Sequence, residues 1–193
     1  MIAVSSFRAF SEASQIAFNQ MRAFQSWLPV FDRVFYFGAP ERRLSSPKTV
    51  FVASPDFPSI KLLMQMAAIV SEPACIINAD IVLDPKAHTA FYNTMRRYQA
   101  ATSFRLEFNS DTRQARRVDN GLDAFIAHPA VWQRCWPIVP NHFRIGHPCW
   151  DSWLNAWLRD QLGVGYADLS AQKLVFHPNH KFREKRTHAP LQP

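Results

Sequence analysis

Asp80 stands where an acid is costly to place. It closes Asn78-Ala79-Asp80, a polar break between the apolar stretches Ala74-Cys75-Ile76-Ile77 and Ile81-Val82-Leu83, with prolines at 73 and 85. A run this rich in β-branched residues reads as a strand buried on both faces of a parallel sheet, which carries no charge in its middle. A carboxylate at its end needs a cation, a metal or strong donors, unless it only caps a turn. Asp and Asn oxygens suit hard divalent cations, magnesium or manganese, which commonly bridge a carboxylate to nucleotide phosphates. His177 follows the apolar Leu174-Val175-Phe176 and precedes Pro178. Its imidazole could complete such a site if manganese is bound, or it could be an ordinary packed histidine. Asp151, in Pro148-Cys149-Trp150-Asp151-Ser152-Trp153, opens an aromatic-rich helix, where it either favours the helix dipole or serves catalysis. Asp123, in Gly121-Leu122-Asp123-Ala124-Phe125, interrupts a strand-like stretch and could accept hydroxyl donors from a sugar. Trp132, Trp136 and Trp150 could stack on a sugar ring or a base, although average burial favours the core.

Other chemistries lack their motifs. No Gly-x-Gly-x-x-Gly follows the first strand, and no Gly-rich loop ends in Lys-Ser or Lys-Thr. A Gly-x-Ser-x-Gly elbow is absent as well. Cys75, Cys135 and Cys149 are far apart, without a Cys-x-x-Cys pair or zinc spacing, and read as buried reduced thiols.

The elements that must position these residues follow from periodicity. Residues 2–7 read as a strand, and from Ser11 or Ser14 a helix carries Ile16, Met21, Phe24, Trp27 and Leu28 until Pro29 stops it. Residues 33–37 and 49–53 read as strands. Pro58 opens a helix with the stripe Leu62, Leu63, Met66, Ile69 and Val70, the strand 74–83 follows, and Asp84-Pro85 starts a helix turning Phe91, Met95 and Tyr98 inward. This β-α-β-β-α-β-α order predicts one α/β domain, a mainly parallel sheet flanked by helices. Its carboxyl-end rim would hold Ser5, Ser6, Phe7, Arg8, Gly38, Ser54, Asp56, Asn78 and Asp80. Further on, residues 101–108 and 124–127 read as strands around a charged turn at 111–120, a helix runs from near Pro148 to Leu162, and 173–176 is a last strand.

At 193 residues and 48% hydrophobic, the chain suits one domain with a full core. No apolar stretch reaches membrane-spanning length and no signal-peptide pattern opens the chain, so it reads as soluble and cytoplasmic. The net charge of +7 suits phosphates on nucleic acid, a nucleotide or an anionic membrane surface. Nucleic acid ranks below nucleotide, because the aromatic residues do not alternate with the basic ones as a stacking platform requires. Residues 181–193 read as a solvated basic tail.

Taken in order, the opening strand Ile2 to Phe7, the strand ending Ile76-Ile77-Asn78-Ala79-Asp80-Ile81, Gly121 to Phe125, Ile145-Gly146 leading to Trp150-Asp151, and His177 after a strand resemble a small glycosyltransferase of the GT-A fold, within the nucleotide-diphospho-sugar transferases. The resemblance covers the chain to about residue 180. It implies that Asn78-Ala79-Asp80 matches an Asp-x-Asp element with Asn for the first Asp. Asp80 and a late His177 would then be metal ligands, and Asn78 a contact of the ribose or phosphate. Ser5, Ser6, Phe7 and Arg8 would meet the nucleotide, with Asp56 assisting. Asp123 and Asp151 would face the acceptor, whether glycan, lipid or protein, and Asp151 would be the general base. The activity implied is sugar transfer from a nucleotide-diphosphate donor, assisted by manganese or magnesium. The rivals are a nucleotidyltransferase of related fold, a non-enzymatic nucleic-acid-binding protein, and a member of the fold that binds without turnover.

Overall fold

The computed structural model describes residues 1–7, 15–38, 40–54, 58–109, 114–145 and 148–178. Arg8, Asp56 and the tail at 181–193 lie outside them. β1 (Ile2–Ser6), β2 (Arg33–Gly38) and β3 (Thr49–Ala53) pair in parallel, and β1 also pairs in parallel with β4 (Ala74–Ile77). The other half adds β5 (Val82–Leu83), β6 (Ala100–Asn109), β7 (Gln114–Ala127), β8 (Tyr166–Asp168) and β9 (Val175–Pro178). The strands run β3-β2-β1-β4-β7-β6-β9-β5, with β8 beside β6. Five pairings are parallel and three, β4–β7, β6–β7 and β5–β9, are antiparallel. The molecule is thus the expected single α/β domain with a mostly parallel, curled sheet.

Helices cover both faces. On one, α1 (Gln15–Trp27) and α3 (Ala87–Met95) bury Phe24, Trp27, Phe91 and Met95 against Ala3, Ile77 and Leu174. On the other, α2 (Ile60–Ile69), α4 (Pro129–Cys135) and α5 (Trp150–Leu162) bury Leu63, Trp132, Trp150 and Leu158 against Val4, Ile76 and Phe125. Trp132 and Trp150 are core, not stacking platforms. Among the described residues no helix is long and apolar enough to cross a membrane.

Several local expectations are corrected. The run 74–83 is not one strand: the Ile81 amide donates to the Asn78 carbonyl at 3.2 Å, a turn that sends β5 away to pair with β9. Ser59, whose hydroxyl accepts from the Leu62 amide at 3.1 Å, caps α2 in place of Pro58, so Leu63 and Met64 are buried while Leu62 and Ile69 are exposed. α3 starts at Ala87, where the Asp84 carbonyl accepts from the Ala87 amide, and Tyr98 lies beyond its end and is exposed. The charged segment from Gln114 belongs to β7. His177 lies within β9, not after it. Cys75 and Cys135 are buried, and burial pushes the Cys135 thiol up to about 12, whereas Cys149 is exposed.

Candidate functional site

The parallel half is wound outward from β1: β2 and β3 extend to one side, and the chain then crosses back to place β4 on the other. Such a reversal of winding opens a crevice beyond the carboxyl ends of the two central strands. Ser5, Ser6 and Phe7 finish β1 at that crevice, and Asn78 to Asp80 leave β4 beside it.

The two central strand ends differ in what they offer. The Ser5 hydroxyl is buried and donates to the Ile77 carbonyl at 2.6 Å, tying β1 to β4. Phe7 turns inward among Phe24, Trp27 and Tyr36, with ring centroids 5.5 to 6.3 Å away. These side chains serve packing, and it is backbone that they place at the rim. Gly38 permits this: its φ is +147°, and a Cβ there would lie 2.8 Å from the Phe7 carbonyl oxygen.

The Asn78–Asp80 turn is anchored from both sides. The Asn78 amide donates to the Asp123 carbonyl at 3.0 Å, and the Trp27 indole donates to the Ile81 carbonyl at 2.7 Å. Ser26 Oγ accepts from the Leu83 amide at 2.9 Å. Held this way, Asp80 Oδ2 lies 3.2 Å from His177 Nε2, although 97 positions separate them in the chain. Both side chains are partly buried, at 27% and 13% exposure.

Beside them lies a second group. Asp123, 3% exposed, accepts from Asn78 Nδ2 at one carboxylate oxygen and from Arg105 Nη1 at 2.8 Å at the other. Arg105 Nη2 reaches Glu107 at 3.3 Å, and Glu107 is the β6 residue in register with His177. Arg105 lies across Gly121, where a Cβ would come within 2.6 Å of its Nε. Burial raises the Asp123 pKa above the ordinary carboxyl value and outweighs the opposing pull of Arg105; the nearby Asp80 charge raises it further and His177 lowers it.

Asp151 sits in the first turn of α5. That end of the helix is at the same rim, since Trp150 packs on Phe125 with ring centroids 5.5 Å apart, two residues beyond Asp123 in β7. Among the described residues Asp151 has no hydrogen-bonding or ionic partner. Arg144, one residue before Ile145, donates its Nη1 to the Asn141 and Phe143 carbonyls at 2.6 and 3.1 Å. The structure therefore joins Asn78, Asp80, Asp123 and His177, and sets Asp151 on the same rim without contact. It adds Arg105 and Glu107, which sequence reasoning missed. Their signal was available: both are charges inside the apolar stretch Ala100 to Phe108.

Two donors suit a cation at this point. An octahedral ion with bonds of ~2.1 Å separates adjacent ligands by roughly 3 Å, close to the Asp80–His177 spacing, and carboxylate with imidazole is a donor set that manganese accepts. Asp123 already accepts one hydrogen bond at each oxygen, from Asn78 Nδ2 and Arg105 Nη1. Among the described residues no three His, Cys, Asp or Glu side chains form a group able to hold a metal. Such an ion would complete its shell with oxygens from a ligand and water.

No family model matches the chain, and no curated protein sequence matches it significantly. Solved structures share the fold. 4-Diphosphocytidyl-2C-methyl-D-erythritol synthase from Anaerococcus prevotii superposes with a TM-score of 0.53 at 8% identity, over 88% of this chain and 86% of that one. A glucose-1-phosphate thymidylyltransferase of Bacillus anthracis, crystallised with a sucrose, gives 0.53 at 10% identity, over 88% and 87%. The bifunctional IspDF of Campylobacter jejuni gives 0.51 at 8% identity, over 88% of this chain and 49% of that enzyme.

Proposed function

We propose that residues 1–180 form a glycosyltransferase domain that takes its sugar from a nucleotide-diphosphate donor, with a divalent cation held by Asp80 and His177, and that 181–193 are a basic tail. The observation that carries this reading is the meeting of Asp80 and His177 at the switch-point rim, 3.2 Å apart. A bound cation supplies charge neutralisation for a departing diphosphate. The chain's own residues do the rest. The carboxyl ends of β1 and β4 present backbone groups to the nucleotide, with Arg8 and Asp56 as further contacts. Asn78 contacts the ribose or a phosphate in this reading. In the transfer, the bond between the anomeric carbon and the diphosphate oxygen breaks with its electron pair going to that oxygen, and the acceptor oxygen bonds to the same carbon. With inversion, the acceptor proton passes to a base, and Asp151, in the first turn of α5, is the acid assigned to take it. Asp123, enclosed by Asn78 and Arg105, orders the acceptor side of the rim.

The second reading is nucleotidyl transfer. It is favoured by the fold likeness to a thymidylyltransferase and to 4-diphosphocytidyl-2C-methyl-D-erythritol synthase. Against it, Ser5-Ser6-Phe7-Arg8 contains no glycine to cradle a triphosphate. One experiment separates the two. The protein is incubated with manganese and UDP, GDP and TDP sugars, and in parallel with NTPs plus sugar phosphates. Slow donor hydrolysis that Asp80→Ala abolishes is the expected result. Pyrophosphate release from an NTP transfers the assignment to the second reading, and binding of no nucleotide at all overturns both.

A further inference from the structure

The Asn78 side chain has two different ends, and its neighbours decide which one a ligand meets. Asp123 receives Arg105 Nη1 on Oδ2 and the Asn78 NH2 on Oδ1. With Arg105 donating to Oδ2, Asp123 keeps Oδ1 as an acceptor, so the amide turns its NH2 toward Asp123 and its carbonyl oxygen the other way. That oxygen is buried and accepts no hydrogen bond among the described residues. A buried acceptor in this state costs about 1–3 kcal/mol, which a ligand that brings a donor would recover. Asn78 itself is only partly buried, at the turn beside Asp80. Arg105 depends in turn on Glu107, which receives its other nitrogen, and on Gly121, whose missing side chain leaves room for the arginine arm.

We infer that Arg105 is a positioning residue which, through Asp123, locks the Asn78 amide so that its carbonyl oxygen accepts a hydrogen bond from a hydroxyl of the bound donor. The inference rests on the nucleotide-donor reading and adds to it the polarity of the contact and the residue that sets it. A hydroxyl, ribose or sugar, satisfies this acceptor; a bare phosphate oxygen does not. Arg105 touches no reacting atom and acts only by fixing orientation.

Calorimetry with MnCl2 tests this by comparing UDP and GDP with their 2′,3′-dideoxy forms, and the corresponding nucleotide-glucose with its 2-deoxyglucose counterpart. Wild type should favour one hydroxyl-bearing partner by roughly five- to tenfold. Arg105→Met should erase that preference and leave affinity for the deoxy partner unchanged, while Arg105→Lys restores part of it. The ribose pair and the sugar pair identify which hydroxyl is bound. Gly121→Ala, which displaces the arginine arm without removing its charge, should act like Arg105→Met. A second readout needs no ligand: the Asn78 side-chain NH2 signals in 15N spectra, identified by their loss in Asn78→Ala, should be protected from exchange in wild type and unprotected in Arg105→Met. Equal loss of affinity for both partners, or an Asn78 NH2 unaffected by Arg105→Met, overturns the inference while leaving the donor reading intact. A wild type that binds no nucleotide overturns both.

Discussion

At Asn78 and Asp123 two side chains share one negative charge. Asn78→Asp would set two carboxylates against each other with Arg105 able to offset only one, a buried charge conflict of about 3 kcal/mol or more. The expected Tm loss is on the order of 10 °C by thermal unfolding. The double substitution Asn78→Asp/Asp123→Asn should recover most of it, because the amide now at position 123 would donate to the carboxylate now at position 78 and still accept from Arg105. The same double variant places a second carboxylate beside Asp80, and its Mn2+ affinity by titration should exceed that of wild type. Asp123 also imposes a pH dependence. Its folded pKa is raised above the ordinary 3.8, so the folded chain holds the proton more tightly than the unfolded chain does. Stability from this group is complete below 3.8 and declines as pH rises through the raised value. Asp123→Asn should remove that slope, read as the wild-type minus variant difference in Tm across an acid-to-neutral series.

Among the elements, the strand ends set the geometry of the rim, and Gly38 shows how little freedom they have. Gly38→Ala must move either β2 or the Phe7 carbonyl, 2.8 Å from the new Cβ, at a φ that L-residues rarely adopt. The expected cost is about 1–3 kcal/mol in chemical denaturation, with nucleotide affinity falling in step. The parallel half of the fold is legible in the sequence because its strands are short apolar runs, and β1 and β3 are each followed by an amphipathic helix. Asp80 was legible because an acid is conspicuous after Ile76-Ile77. What the pattern hid were departures from simple period. Apolarity does not distinguish the two sides of the turn at Asn78, since Ile81 to Leu83 are as apolar as Ala74 to Ile77 and differ only in pairing with β9 instead of β1 and β7. The buried face of α2, Ile60, Leu63, Met64, Ala67 and Ala68, lies one residue out of phase with the stripe expected from Leu62, because small alanines rather than the large apolar residues face the core in its second half. Arg105 stands out as a charge inside an apolar stretch, but its role stays hidden until its cross-strand partner is known, and Asp123 lies 18 positions away.

The whole molecule explains why Asp80 and His177 meet. β4 and β5 are separated along the sheet by β7, β6 and β9, a distance of roughly 19 Å if the sheet were flat. Yet only residues 78–81 join them, and these are folded into a turn. The sheet must therefore curl until β9 and β5 return toward the end of β4, which carries His177 to Asp80. If both ligate one ion, Asp80→Ala and His177→Ala should each abolish most Mn2+ binding, and the double variant should lose little more. Independent, additive losses in titration would separate the two residues.

Closure of that curl is also a statement about the order of events when the chain folds. β1, β2, β3 and β4 can assemble from neighbouring segments, whereas β5 is two residues long and finds β9 only after some ninety intervening residues have been laid down. A chain with the first half formed and this seam open would keep β1 and β4 tied through Ser5 and would lack both the Asp123 anchor of Asn78 and the Asp80–His177 pair. The seam should also open first under native conditions, so the Asp84 amide, which donates across it to the Leu174 carbonyl at 2.9 Å, exchanges with deuterium well before that of Ile76 in the central strand. Ion capture would then report completion of the fold.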